Sequence, residues 1–120
     1  MAAVNAIHLE LIAEYGGLPG VRDQNLLESA LERPRNLFAY EDPSLFELAA
    51  AYAFGLAKNH PFVDGNKRMA MAGMAVFLEL NGYELIADKA DAIETILSLA
   101  AGKLSQRDLA TWIRRNSRKT

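Results

Sequence analysis

Cysteine is absent from the chain. That excludes a disulfide framework, a thiolate nucleophile and any cysteine-ligated metal site, and it agrees with a reducing cytoplasm as the expected location. A strong charge of either sign is also lacking. The 13 Lys and Arg against 15 Asp and Glu give a formal net charge of −2, so there is no bulk attraction for nucleic acid and no direct nucleic-acid binding is expected. The cations nearest the C-terminus, Arg114, Arg115, Arg118 and Lys119, read as a solvated helix end favoured by the helix dipole. Apolar runs fall short of the roughly 20 residues that span a bilayer, and the first residues lack the pattern of a signal peptide. No membrane role is expected. Neither G-x-x-x-x-G-K-[ST] nor G-x-G-x-x-G occurs, which argues against a conventional P-loop or Rossmann nucleotide site. Long period-two alternation, internal repeats and low-complexity tracts are missing too.

What remains is helical almost throughout. The 120 residues, 51% apolar and 23% charged, are expected to form one domain over residues 1–120 with a real core. Val4, Ile7, Leu11, Ile12 and Tyr15 predict a first helix ended by Gly16-Gly17, and "GLPGVRD" is turn chemistry. Asp23 caps the next helix, with Leu26, Leu27, Ala30 and Leu31 on its apolar face and Pro34 closing it. "RNLFAYED" reads as an irregular stretch with two exposed aromatics. Asp42 and Pro43 open a long helix to about Asn59 whose "LAAAYAFGLA" interior predicts burial on several sides. A second central helix runs from about Asn66 to Leu80, stopped by Asn81-Gly82. Asp88 caps a helix to about Ala101, ended by Gly102, and Ser105 with Asp108 opens the last, to about Asn116. The expected fold is all-α, with about six helices and two buried central helices joined by a polar loop.

That loop, "NHPFVDGNKR", is far denser in chemistry than a connection requires. His60 precedes Pro61, which pushes it out of helical geometry and aims it toward the loop. An imidazole accepts a proton near neutrality, although a lone histidine here would also suit a helix end. Asp64 is a hard oxygen ligand, and one carboxylate plus substrate phosphates is a usual way to hold magnesium; a plain helix N-cap is its bland alternative. Gly65 and Asn66 stand at a helix start, where unpaired amides and the dipole make an anion site. Lys67 and Arg68 place two cations at the wrong end of a helix, a local rule broken as at functional sites. Phe62 reads as the loop's core anchor and Asn59 as a helix C-terminal residue rather than a ligand. A base, a metal-holding acid and an anion cradle suit phosphoryl or nucleotidyl transfer.

The stretch "HPFVDGNKR" resembles the Fic/Doc signature H-P-F-x-[DE]-G-N-[GK]-R, and "YGGLPGVRD", "LLESALERP" and "FLELNGYEL" resemble its Doc branch, the death-on-curing toxins of bacterial toxin–antitoxin modules. The resemblance implies an all-α fold. It implies His60 as general base, Asp64 as the Mg2+ ligand, Gly65 and Asn66 as the anion hole around the phosphates of ATP, and Arg68 as a phosphate grip. Lys67 stands where AMP-transferring members carry glycine, and in the Doc branch this lysine goes with transfer of the γ-phosphate. Met71 replaces a second arginine found in many AMP-transferring members. The implied acceptor is a threonine of translation factor EF-Tu. No self-inhibitory [ST]-x-x-x-E-[GN] motif occurs, so a separate Phd-like antitoxin is the implied inhibitor. "RNLFAYED" falls where the family places a loop that helps align the protein substrate. AMP transfer and a non-catalytic antitoxin-binding module remain the alternatives to a kinase.

Overall fold

The stretch "LAAAYAFGLA" carries little side-chain bulk, and the rest of the chain closes around it. In the computed structural model, which describes residues 2–120, the order is α1 (Ala2–Tyr15), α2 (Gln24–Tyr40), α3 (Leu45–Asn59), α4 (Asn66–Leu80), β1 (Tyr83–Leu85), α5 (Lys89–Ala100), α6 (Gln106–Arg115) and β2 (Ser117–Lys119). The fold is therefore the expected all-α bundle of six helices, with one small addition. Helix α3 is central: α2, α4, α5 and α6 all pack against it, and α1 packs against α4. Ala49, Ala50, Ala51, Ala53, Gly55, Leu56 and Ala57 of α3 are all buried. From α4 the core takes Met69, Ala70, Met74 and Leu78, and from α5 and α6 Ile96, Leu99, Leu109 and Ile113. No helix among the described residues is long and apolar enough to cross a membrane.

Several expectations are corrected, and one is the Asp88 cap: Asp88 stands at the start of α5, but no side-chain bond caps that helix. Pro34 does not end the second helix; α2 runs through it to Tyr40. Proline removes the hydrogen bond to the carbonyl four residues earlier, and that carbonyl belongs to Ala30. Ala30 lies where α3 crosses: a Cβ built on Gly55 would stand 2.9 Å from Ala30 O and 3.0 Å from its Cα. The lost bond thus falls at a backbone-to-backbone crossing, and Pro34 is itself buried there. "RNLFAYED" is consequently mostly helix, with Phe38 and Tyr40 exposed on its last turns.

Helix α3 begins later than expected, because Ser44 rather than Asp42 caps it. Glu47 N–H donates to Ser44 Oγ at 3.1 Å and Ser44 N–H to Glu47 Oε1 at 3.3 Å, a reciprocal capping box. The strands were not expected, being three residues each. They pair antiparallel with Glu84 opposite Arg118, and an ion pair of 2.7 Å joins those two side chains. Of the C-terminal cations, only Arg114 and Arg115 lie in the last turn of α6; Arg118 and Lys119 lie on β2. The Tyr83 ring meets Phe46 edge-on at 5.2 Å, and Trp112 Nε1–H donates to Asp91 Oδ2 at 3.0 Å, tying α6 to α5.

Gly55 marks the point where the α2–α3 crossing has no spare room. A Gly55→Val variant must separate the two helices, and overpacking of this kind costs roughly 1–3 kcal/mol. A denaturant midpoint lowered by that amount, with the slope unchanged, is the expected result of equilibrium unfolding.

Candidate active site

The site is assembled from the outside in. Asn59 ends α3 and donates from Nδ2 to Leu26 O at 3.0 Å, the structural part expected of it. His60 caps the helix with φ 48° and ψ 53°, the only non-glycine residue at positive φ among those described. The sequence predicted that the following proline would end the helix; the structure ends it in left-handed rather than extended backbone. Arg22 reaches this bend, donating from Nε to His60 O at 2.8 Å and from Nη2 to Asn59 O at 3.0 Å.

The turn after α1 then runs alongside the loop as a strap. Arg22 N–H and Asp23 N–H donate to Pro61 O at 2.8 and 3.2 Å, Val63 N–H donates to Gly20 O at 3.0 Å, and Val21 and Phe62 form an isolated antiparallel bridge. Phe62 is the buried anchor, 1% exposed. Its ring stacks on the imidazole of His8 at 3.8 Å and 11°. The carboxamide of Asn66 closes the loop on itself: Oδ1 accepts from Phe62 N–H and Nδ2 donates to Phe62 O, both at 3.0 Å.

Asp64 is exposed and does not cap α4. Its Oδ1 accepts from Gly65 N–H at 3.0 Å and its Oδ2 from Leu18 N–H at 3.3 Å. Each oxygen keeps acceptor capacity beyond those bonds. Gly17 makes this possible: its φ is 109°, and a Cβ there would lie 2.8 Å from Asp64 Oδ2. The carbonyl of Asp64 accepts from His8 at 2.8 Å, which fixes the proton on Nε2. Gly65 is the N-cap of α4 at φ 76°, and no side chain bonds to the helix start. With the Gly65 amide directed to Asp64, the amides of Asn66, Lys67 and Arg68 are the orphan donors of a first turn.

Lys67 and Arg68 are exposed. The only ion pair among the described residues joins Arg118 to Glu84, so neither has a carboxylate partner. Arg68 lies instead over the Tyr15 ring at 5.0 Å. A groove of about 840 Å³ runs past these groups, and His60, Asp64, Gly65, Asn66, Lys67 and Arg68 all line it. Its other wall is apolar, from Leu11, Met71, Ile93, Ile96 and Leu97, with Lys89 on the rim. Met71 thus adds to the apolar wall at the position where a second arginine would add charge. Among the described residues no group of three or more His, Cys, Asp or Glu side chains could hold a metal.

A sequence model of the Fic/DOC family matches residues 1–78. The chain belongs to the Fic/Doc family. It is 35% identical over 111 residues to protein kinase doc of Escherichia phage P1, covering 92% of this chain and 87% of that protein. It is 46% identical over 76 residues to toxin Doc of Mycolicibacterium smegmatis, covering 62% of this chain and 58% of that protein. Both relatives are Doc proteins, which sets the chain on the Doc side of the family. The Fic/Doc match spans α1 to α4 and so includes the whole polar loop; Lys89 and the α5 wall lie beyond it.

Sequence reasoning missed His8, Tyr15 and Arg22. A signal existed for the first: His8 shares the helical stripe of Val4, Leu11 and Tyr15, a polar residue on an apolar face. Truncating it removes a buried stack and leaves the Asp64 carbonyl without its donor. His8→Ala is expected to lower the unfolding free energy by about 3 kcal/mol, cavity and lost bond together, measured by urea titration.

Proposed function

We propose that this protein is the toxin of a bacterial toxin–antitoxin module and that it transfers the γ-phosphate of Mg-ATP to a protein hydroxyl. The observation that carries the reading is the start of α4. It has no side-chain cap, two cations without acidic partners, and an exposed imidazole and an exposed carboxylate on the same groove. A helix start so arranged is an anion site in want of an anion.

The residues present fit magnesium and a triphosphate. Asp64 is held by two main-chain amides and still has lone pairs facing solvent, the donor set of an ion that takes one carboxylate and completes its shell with water and phosphate. A magnesium ion there would supply charge neutralisation on the phosphate oxygens. The amides of Asn66 and Lys67 donate to a phosphate oxygen, and Gly65, lacking a side chain, leaves the approach open. Arg68 grips a second phosphate, steadied from behind by Tyr15. His60 takes the proton from the acceptor hydroxyl as its oxygen bonds to the γ-phosphorus and the bridging oxygen leaves with ADP. Lys67 in the cradle and Met71 in place of a second arginine favour γ-phosphate transfer over AMP transfer, in line with the relative named protein kinase doc.

The proposed acceptor is a threonine of translation factor EF-Tu, so that the reaction blocks translation in the cytoplasm. The proposed inhibitor is a Phd-like antitoxin whose disordered segment folds as it docks, a mode suited to switchable control.

Purified protein, magnesium and EF-Tu are incubated with ATP labelled at either the α or the γ position. The expected result is label on EF-Tu from the γ position only, with His60→Ala slower by a factor of at least about 100 and Asp64→Ala losing the magnesium dependence. Label from the α position would establish AMP transfer instead. No label from either position, with His60→Ala as toxic as the parent, would establish a binding module.

A further inference from the structure

The backbone at His60 is held against its own preference. A residue before proline is steered toward extended backbone, with ψ at about +120 to +160°, and a β-carbon disfavours left-handed geometry. His60 nevertheless sits at φ 48° and ψ 53°. Rotation to the extended well would swing its carbonyl away from Arg22 and carry the imidazole to a new direction relative to the α4 start. The two bonds from Arg22 span this choice: Nε to His60 O at 2.8 Å and Nη2 to Asn59 O at 3.0 Å. A planar fork presents both donors in a fixed, parallel geometry; an ammonium would have to reach both carbonyls from a single nitrogen. Arg22 is itself fixed, because its own amide donates to Pro61 O at 2.8 Å. It does not line the groove, so its effect on chemistry there passes through His60.

We infer that Arg22 is a positioning residue that locks the histidine at the end of α3 in left-handed backbone and so aims its imidazole along the groove. As a role in catalysis this rests on His60 being the base proposed above; as a statement about conformation it stands alone.

The chain has two histidines, and they report separately. His60 answers to Arg22, whereas His8 answers to Phe62 and Asp64. Imidazole resonances of ¹⁵N-histidine-labelled protein are compared at one pH for the parent, Arg22→Gln and Arg22→Lys, alongside label-transfer rates. In Arg22→Gln the His60 resonances are expected to move or broaden while those of His8 stay. The rate at saturating ATP should fall roughly tenfold or more, and the ATP concentration for half-maximal rate should stay within about twofold. Arg22→Lys, which keeps the charge but not the fork and guards against a glutamine variant that fails to fold, should fall between. Parental His60 resonances in the variants would overturn the inference. So would equal movement of His8 and His60, which would mean general loosening, or a rate loss expressed wholly in the ATP requirement. If the parent transfers no label, the functional reading fails and the resonances alone decide the conformational role of Arg22.

Discussion

The first turn of α4 concentrates positive potential that no ion pair among the described residues offsets, and the rest of the site is arranged around that fact. Elsewhere the protein caps its helices in the ordinary way: Asp23, Ser44 and Ser105 each accept from the first turn of α2, α3 and α6. The helices α4 and α5 start without such a bond. Both starts face the same groove, and each brings cations to it: Lys67 and Arg68 from α4, Lys89 from α5. A cation at an exposed helix start costs roughly 0.3–1 kcal/mol, and here the cost is incurred more than once in one place. Side chains able to relieve it are near but turned elsewhere. The Asn66 carboxamide bonds to Phe62, and the Asp64 carboxylate accepts from Leu18 and Gly65.

Keeping such a loop open needs support from beyond it, and each support has an identifiable source. The turn at residues 16–23 lies along the loop and pairs with it through main-chain hydrogen bonds. His8 reaches from α1 to hold the Asp64 carbonyl and to cover the Phe62 ring. Arg22 grips the last carbonyls of α3. The signature supplies the groups that face the groove, and residues 8–23 supply most of what fixes their orientation. The family likeness in "YGGLPGVRD" thereby has a physical content: Gly17 is required where the backbone passes within reach of Asp64 Oδ2.

Much of this was legible in the sequence, for reasons that differ by residue. The small apolar run of α3, the Asn81-Gly82 stop and the Ser105 cap are local signals, and each held within a residue or two. The polar loop was legible because its residues break local rules together. Pro34 misled because the helix continues through it with the proline buried, and the α3 residue packed at Ala30, Gly55, is far off in sequence. The "SLFE" box was overlooked in favour of the Asp-Pro before it. The strands are too short for a periodic signal, and Glu84 meets Arg118 only after the bundle brings them together. Arg22 and His8 act across 37 to 56 residues of sequence, a separation no spacing pattern encodes.

The placement of the proposed base and the proposed cradle on different helices ties the site to the core. His60 ends α3 and Asn66 begins α4, so their separation is set by how closely those two helices lie as well as by the loop. They lie close: a Cβ on Gly73 of α4 would come within 3.2 Å of Leu56 Cδ1 of α3. On its other side α3 is pressed against α2 at Gly55 and Ala30. A close-packed interior transmits a shift rather than absorbing it, and a misplacement of about 1 Å between reacting groups can cost a hundredfold in rate. The small residues of α3 therefore serve two ends with one geometry. They let four helices close on a fifth, and they hold the His60 imidazole at a fixed distance from the uncapped start of α4.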